Sequence, residues 1–240
     1  MANVIVTGAS RGIGLAIART LARQGYTVLG VARHASKELA ATSEAASAAI
    51  HFVPFDLSEI GKLHGFVRDL RERFGPVYGL VNNAGLGTEG ILATMSTSSI
   101  ERLIQLNTLS PIVLTKYIVR GMMNEGTGRV VNISSIIAST GYSGLSVYAA
   151  TKASMIGFTK SLAREVGRLG VTVNAVAPGF LETELTASMK DEQRQQIARR
   201  SALQRLPEVN DVAEAVAFLM SEKARNITGT VLTVDAGSTA

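Results

Sequence analysis

Short apolar segments alternate with longer polar or amphipathic segments along the whole chain. The apolar segments are nearly uniform in hydrophobicity, as is typical of parallel strands that are covered on both faces of a sheet. They predict strands at 4–6, 26–31, 50–54, 77–81, 129–134, 171–176 and 230–234. Because each parallel crossover needs a dozen or more residues, the pattern predicts an α/β fold: a doubly wound, Rossmann-type parallel sheet of about seven strands with helices on both faces.

The helical segments follow from the same alternation. An amphipathic stretch runs from a glycine-rich loop to about Arg23, and long helices are predicted near 98–124, 147–168 and 208–221. No break in composition, repeat or linker interrupts the 240 residues, which suit one α/β domain in size. We therefore expect residues 1–240 to form a single domain.

Composition narrows the classes of function. The formal net charge is +5, but the basic residues are scattered and lack interleaved aromatic residues, which argues against nucleic-acid binding. The absence of cysteine excludes disulfides and cysteine nucleophiles, and His34, His51 and His64 lack the spacing of metal ligands, so no metal is expected. No long apolar run and no N-terminal leader are present, so we expect a cytoplasmic protein without a membrane span.

A glycine-rich loop follows the first predicted strand. The glycines of Gly8-x-x-x-Gly12-x-Gly14 allow a sharp turn from strand into helix, where backbone N–H groups and the helix N-terminus favour a pyrophosphate. By itself the cluster is also compatible with an ordinary tight turn, because its spacing differs from G-x-G-x-x-G. The predicted cofactor contacts in this loop are Gly8, Ser10, Arg11, Gly12, Ile13 and Gly14.

The end of the second predicted strand indicates which dinucleotide fits. An acidic residue there would bind the ribose of NAD, whereas an arginine accommodates the 2′-phosphate of NADP. The sequence has Arg33 at this position and Arg11 in the glycine loop, which favours NADP(H). The alternative for Arg33 is an ordinary solvated surface residue.

Tyr148 and Lys152 are four residues apart near the start of a predicted helix. Positions i and i+4 share a helix face, so the ammonium can lie near the phenol. A free phenol ionises only near pH ~10, and nearby positive charge stabilises its phenolate. We therefore expect Lys152 to lower the pKa of Tyr148, which would then act as an acid.

Four motifs in order resemble the short-chain dehydrogenase/reductase family over essentially the whole chain. They are Thr7-Gly8-x-x-x-Gly12-x-Gly14, Asn82-Asn83-Ala84-Gly85, Tyr148-x-x-x-Lys152 and Pro178-Gly179. Within the family, the segments at 8–14, 160–166 and 174–180 are most similar to 3-oxoacyl-[acyl-carrier-protein] reductases.

The resemblance implies roles for individual residues. The implied catalytic residues are Asn107, Ser135, Tyr148 and Lys152, of which Ser135 and Tyr148 also bind the substrate carbonyl. The further cofactor contacts implied are Asp56, Leu57, Asn83, Ala84, Gly85, Tyr148, Lys152, Pro178, Gly179, Leu181 and Thr183.

Several of these residues have structural alternatives. Ser134 competes with Ser135 for the serine role, and Asp56 could cap the helix that begins near Ser58. Asn83 and Gly85 could satisfy turn backbone, and Asn107 could be a buried polar residue with local hydrogen bonds.

The implied activity is NADPH-dependent reduction of a 3-oxoacyl thioester, carried by acyl carrier protein or CoA, in fatty acid biosynthesis or related metabolism. The alternatives are a reductase of another ketone or secondary alcohol, and a catalytically idle NADP-binding protein. The loop after Gly85 and the segments 136–145 and 180–203, the latter a predicted lid, are expected to select the substrate. Carrier-protein reductases place basic residues where this sequence has Gly126 and Leu169, and Arg129 and Arg168 are candidate replacements nearby.

The predicted helix at 147–168 carries small or apolar residues on more than one face. The sheet can cover one face, and the rest needs another partner. In the family this helix packs against a second subunit, so the resemblance implies a homotetramer, with a dimer as the alternative.

Overall fold

The computed structural model describes residues 2–39, 49–87, 90–181 and 191–240. Within them, seven parallel strands form one sheet in the order β3-β2-β1-β4-β5-β6-β7. The strands are β1 (Asn3–Thr7), β2 (Thr27–Ala32), β3 (Ile50–Pro54), β4 (Val77–Asn82), β5 (Gly128–Ile133), β6 (Val171–Pro178) and β7 (Val231–Val234). The predicted fold class, a doubly wound α/β sheet of about seven strands, is confirmed.

The strand order reverses between β1 and β4, which are adjacent in the sheet although far apart in sequence. Val6 pairs with Gly30 of β2 on one side and with Val81 of β4 on the other. Crossovers from the two strands therefore leave in opposite directions, and a crevice opens beyond their carboxyl ends, where ligands bind in open α/β sheets. Thr7 and Asn82, the last residues of β1 and β4, lie at this edge.

Helices cover both faces of the sheet, and two apolar clusters form the core. The helices are α1 (Gly12–Arg23), α2 (Leu63–Phe74), α3 (Thr97–Ile104), α4 (Ser110–Glu125), α5 (Ile137–Thr140), α6 (Ser146–Val166), α7 (Asp191–Arg200) and α8 (Val209–Met220). One cluster unites α1 and α8 through side chains such as Leu21 and Val216. The other unites α2, α4 and α6 through Leu70, Ile118 and Leu162.

One helix differs from its prediction. The segment 98–124 was expected to be a continuous helix, but a π-helical stretch, Gln105–Leu109, separates α3 from α4. Single π turns inside helices occur frequently at functional sites, and this one contains Asn107. Short α5 lies within the predicted substrate segment 136–145, and α7 lies within the predicted lid. Most other boundaries differ by one or two residues.

None of the helices in the described ranges combines the length and the hydrophobicity that a membrane span requires.

Candidate active site

Thr7 connects the two loops that leave the sheet at the crevice. Its hydroxyl donates to the Val81 carbonyl at 3.2 Å and accepts from the backbone N–H groups of Asn83 at 2.9 Å and Ala84 at 3.0 Å. The Asn83 side chain donates to the carbonyls of Thr7 and Gly8. The structural alternative for Asn83 therefore holds for its side chain, which fixes the glycine loop.

The glycine loop cannot accept side chains at two positions. Gly8 has φ +68°, in the left-handed region, and a Cβ there would lie 2.9 Å from Nδ2 of Asn83. A Cβ on Gly14 would collide with the carbonyl oxygen of Gly8, since helix α1 packs closely against the strand. These two glycines are therefore required for the turn and for the close approach of the helix to β1.

The N-terminus of α1 suits an anion. Its N-cap, Arg11, has an extended backbone and makes no side-chain cap, and the first turn contains no acidic residue. The first N–H groups of a helix lack partners within the helix, and the helix dipole favours negative charge at this end. A dinucleotide pyrophosphate fits this donor set, which includes the predicted contacts Gly12, Ile13 and Gly14.

The region beyond β2 contains the predicted ribose and adenine contacts. Arg33 is exposed, and its charge helps to lower the pKa of Asp56. The larger cause is Ser58, whose backbone N–H and hydroxyl donate to Asp56 Oδ1 at 2.9 and 2.7 Å. Asp56 thus closes an Asx-type turn and does not cap a helix at Ser58, because the next helical turn begins at Ile60 with Glu59 as its N-cap. Leu57 is buried in the core. Ser36 joins this region to the glycine loop by donating to the Ser10 carbonyl.

Tyr148 and Ser135 meet at the carboxyl edge of the sheet. Burial raises the pKa of Tyr148 above its usual value, and a hydrogen bond with Ser135 lowers it in part. Ser134, the competing serine, is buried, and its hydroxyl donates to the backbone carbonyl of Lys152 at 2.9 Å. The structure therefore favours Ser135 as the serine that can reach a substrate.

Lys152 is a buried cation. Its Nζ donates to the Ile133 carbonyl at 2.9 Å and lies 5.7 Å from the centroid of the Tyr148 ring. Within the described residues that carbonyl is its hydrogen-bond partner, so two of its three N–H donors remain for other groups. Burial lowers the pKa of Lys152 to about 8.

The electrostatics of this pair differ from the sequence-based expectation. Lys152 was expected to lower the pKa of Tyr148, yet the net change in the tyrosine pKa is upward and the lowering contribution comes from Ser135. The reason is desolvation, which disfavours the phenolate and the ammonium together. Spacing placed the two groups on one helix face but could not reveal their burial.

Asn107 lies in the π-helical stretch and is 2% exposed. Its Nδ2 donates to the Leu86 carbonyl at 2.9 Å and its Oδ1 accepts from the Leu86 N–H at 2.8 Å, which fixes the loop after β4. A Cβ on Gly85 would lie 3.2 Å from Oδ1 of Asn107 and 3.6 Å from Nζ of Lys152. Asn107, Lys152 and Gly85 are therefore close together.

The turn after β6 forms another wall of the site. The Pro178 carbonyl accepts from Ile136 N–H at 3.0 Å, and Gly179 N–H donates to Val234 O at 2.9 Å. A side chain on Gly179 would collide with Asp235, whose Cβ would be 2.7 Å away. The predicted contact Leu181 is buried, and Thr183 lies outside the described residues.

Two residues near the site were absent from the predicted set. Thr7 joins the glycine loop to the loop after β4, and Thr151 contacts Asn107 from helix α6. Thr7 stands in the quoted glycine motif, which could have identified it. Nothing in the local pattern distinguishes Thr151 from an ordinary helix residue.

The structure contradicts the expectation that Arg129 contacts a carrier protein. It was a candidate for an exposed basic residue that receives an acidic carrier, but it is 4% exposed and pairs with Glu222 at 2.7 Å. A buried, paired guanidinium cannot dock a carrier at the surface. Arg168 is exposed and remains available.

A family model described as enoyl-(acyl carrier protein) reductase matches residues 8–239. The chain is 41% identical over 233 residues to 3-oxoacyl-[acyl-carrier-protein] reductase FabG of Escherichia coli K12, covering 97% of this chain and 95% of the relative. It is 40% identical over 242 residues to the protein of that name from Vibrio harveyi, with the same coverage.

Solved structures with bound nucleotide are also similar. ElxO with NADP bound has a TM-score of 0.92 and 31% identity, covering 99% of this chain and 98% of that chain. A tyrosine-to-phenylalanine variant of ElxO with NADPH bound has a TM-score of 0.91 at the same identity and coverage.

Proposed function

Because the chain belongs to the short-chain dehydrogenase/reductase family, we propose that it reduces a 3-oxoacyl thioester to the 3-hydroxyacyl thioester with NADPH, in fatty acid biosynthesis or related metabolism. The observation that carries the proposal is that Tyr148 hydrogen-bonds Ser135 while the buried Lys152 ammonium lies 5.7 Å from the centroid of the tyrosine ring. A phenol so placed can donate a proton to a ketone oxygen beside the crevice.

The cofactor fit rests on this chain's own donors. The N-terminus of α1, which has no side-chain cap, suits the pyrophosphate. Two N–H donors of Lys152 have no partner within the described part of the chain and suit the ribose hydroxyls. The exposed Arg33 and the loop residue Arg11 supply positive charge for a 2′-phosphate. When bound, NADPH supplies a hydride to the ketone carbon.

Each catalytic residue has one task in the proposed reaction. Ser135 and Tyr148 hydrogen-bond the carbonyl oxygen, stabilising the negative charge that develops on it. Tyr148 gives its proton to that oxygen, and the protonated Lys152 stabilises the phenolate that remains. Asn107 supports the return of a proton to the site from water.

The surroundings of the site suit an apolar acyl chain. Ile91, Leu92 and Tyr142 are exposed, and their two loops are joined by a hydrogen bond from Gly90 N–H to Gly144 O at 2.9 Å. Exposed apolar side chains beside a catalytic crevice are typical of a ligand-binding surface. The thioester can be carried by acyl carrier protein or by CoA. Gly126 and Leu169 stand where the resemblance implies basic residues, so the surface that would receive an acidic carrier has less positive charge than in carrier-protein reductases.

The proposed assembly is a homotetramer in the cytoplasm. The proposal is supported by Leu109 and Met123, which are exposed apolar residues beside and on helix α4, because in the family this helix and α6 pack against a second subunit. Light scattering tests the assembly, because a 25.3 kDa particle at micromolar concentration would contradict it.

The decisive experiment is Tyr148→Phe, followed by NADPH oxidation at 340 nm. With acetoacetyl-CoA and an acyl-carrier thioester, we expect turnover to fall by about 10²-fold or more, the usual contribution of a general acid. NADPH affinity, measured by fluorescence, should stay close to that of the parent protein. Tyr117→Phe removes the hydroxyl of a tyrosine whose ring is tilted against that of His64, with the centroids 5.0 Å apart, and it should retain full turnover.

The outcomes separate the alternatives. Full activity in Tyr148→Phe would contradict the proton-donor role. Reduction of simple ketones but of neither thioester would indicate a different ketone reductase. NADPH binding without oxidation on any substrate would indicate an idle nucleotide-binding protein.

A further inference from the structure

Two side-chain hydrogen bonds join the π-helical stretch to the catalytic helix α6. Asn107 Nδ2 donates to Thr151 Oγ1 at 3.2 Å, and the hydroxyls of Thr108 and Ser154 are 3.0 Å apart. Thr151 is 3% exposed and stands between Tyr148 and Lys152 in the sequence. The two contacts therefore connect the segment that carries Asn107 to the helix that carries the proton donor.

The single hydroxyl hydrogen of Thr151 determines the direction of its hydrogen bonds. A hydroxyl has one hydrogen to donate, and Thr151 gives it to the Tyr148 carbonyl at 2.7 Å. Towards Asn107 the Thr151 oxygen can then only accept a hydrogen bond. The Asn107 amide must therefore turn its Nδ2 group, which donates, towards helix α6. The opposite orientation of the amide would set an amide oxygen against the lone pairs of the threonine.

The same orientation serves the loop after β4. With Nδ2 towards α6, Oδ1 of Asn107 faces the Leu86 N–H, to which it is bonded at 2.8 Å. Oδ1 is also the closest atom to the position that a Cβ on Gly85 would occupy, and Nζ of Lys152 follows at 3.6 Å. The Asn107 amide therefore lies in the same part of the site as the lysine ammonium.

We propose that Thr151 is a positioning residue, which holds the Asn107 amide in one orientation and fixes the π-helical stretch at its distance from Tyr148 and Lys152. The inference rests on the proposed function, because Asn107 acts there in proton return. Thr151 itself touches neither substrate nor cofactor in this role. Its contribution should consequently appear in turnover and not in cofactor binding.

The chain contains a matched control in the same helix. Thr159 is buried, donates to the Met155 carbonyl at 2.7 Å and accepts from Nδ2 of Asn132 at 2.8 Å. It therefore makes the same pair of hydrogen bonds as Thr151, but with an asparagine of β5 that is no part of the site. Thr159→Val and Thr151→Val make the same chemical change, one away from and one beside the catalytic residues.

The test compares kcat, KM and NADPH affinity among Thr151→Val, Thr151→Ser and Thr159→Val. Valine keeps the shape of threonine and removes the hydroxyl. In Thr151→Val we expect kcat to fall about tenfold, the effect of losing one hydrogen bond of ordinary net strength, with KM and NADPH affinity nearly unchanged. Thr151→Ser should restore most of kcat, and Thr159→Val should lower thermal stability while leaving kcat intact.

Three kinetic results would overturn the inference: unchanged kcat in Thr151→Val, an equal loss in Thr159→Val, or no recovery with serine. A second measurement is independent of turnover. Amide hydrogen exchange at Leu86, whose N–H donates to Asn107, should be faster in Thr151→Val and unchanged in Thr159→Val. If the parent protein reduced no thioester, the proposed substrate would be wrong, and equal Leu86 exchange in all variants would separately refute the role of Thr151.

Discussion

Among the residues whose burial the structure describes, two cations are buried, Arg129 and Lys152, and they lie near opposite ends of strand β5 with different sets of hydrogen-bond partners. Arg129 stands at the start of β5, and Lys152 donates to the carbonyl of Ile133, the last residue of β5. The Arg129 guanidinium bonds Glu222 at 2.7 Å and its own strand at the Gly128 carbonyl, and lies 5.5 Å from the Tyr78 ring centroid. Lys152 has one hydrogen-bond acceptor within the described residues and no carboxylate there.

The difference in partners indicates that the buried cation at the amino end of β5 has a structural role and the one at the carboxyl end a chemical role. Burying a charge is costly unless it is paired and hydrogen-bonded. At the amino end of β5 most of that cost is offset by partners, although Nε of Arg129 lacks one among the described residues. At the carboxyl end no carboxylate of the described residues offsets the cost of burying Lys152, and this desolvation lowers the lysine pKa. An underpaired ammonium can still bind ribose hydroxyls and stabilise a phenolate.

The largest expected effect comes from Lys152→Met, which removes the underpaired charge. Turnover should fall by about 10²-fold or more, since the phenolate and the cofactor both lose their cation. The free energy of unfolding at pH 7 should nevertheless rise. The lysine pKa falls from 10.5 to about 8, which corresponds to an upper limit of roughly 3 kcal/mol. Urea denaturation of the parent protein and of Lys152→Met measures the change. A lower free energy of unfolding in Lys152→Met would contradict the prediction that the buried ammonium destabilises the fold.

The second prediction concerns pH, and its sign follows from proton linkage. The pKa of Lys152 is about 8 when folded and 10.5 when exposed. Between these values the unfolded chain holds more protons than the folded one, so the contribution of Lys152 to stability improves as pH rises through this window. Below pH 8 the penalty is fully present. The stability advantage of Lys152→Met should therefore shrink as pH rises from about 8 to 10.5.

Urea titrations of the parent protein and Lys152→Met across that range check the second prediction. Burial raises the pKa of Tyr78 to about 12 in the folded protein, so near pH ~10 this tyrosine loses its proton only when the chain unfolds, which lowers stability at the alkaline end of the range. Tyr78 occurs in both proteins, so the difference between the two profiles isolates the lysine. Parallel profiles would show that Lys152 keeps its ordinary pKa in the folded protein.

The sequence was sufficient for those features of the two cations that depend on local geometry. The i, i+4 spacing of Tyr148 and Lys152 on a helix, and the alternation of strands and helices, follow from short-range rules. The burial of Arg129 does not follow, because it stands in a strand whose start is covered by Tyr78 and by the chain after α8, contacts that join residues about fifty and ninety positions away.

Other features were hidden for the same reason. Asn107, in the π-helical stretch, bonds Leu86 and Thr151, which are 21 and 44 positions away and so outside any local window of the sequence. The upward shift of the Tyr148 pKa depends on burial against the whole site and not on its spacing from Lys152. Residue types could identify the candidate catalytic groups, whereas their electrostatic state required the packed structure.

The smallest effect is expected from Glu222→Gln at the amino end of β5. Its carboxylate bonds Arg129 at 2.7 Å, but the Glu222 side chain is 73% exposed, so solvent screens much of the attraction. Glutamine keeps an acceptor for the guanidinium and removes the charge, and we expect a loss of about 1 kcal/mol in unfolding free energy with turnover unchanged. Glu72→Gln breaks the exposed pair with Arg68, whose atoms are 3.8 Å apart, and should have almost no effect. Equal losses in the two variants, measured by urea denaturation, would show that Arg129 is held by its packing and the Gly128 carbonyl and not by its anion. The two ends of β5 would then differ only in whether the buried cation has enough acceptors.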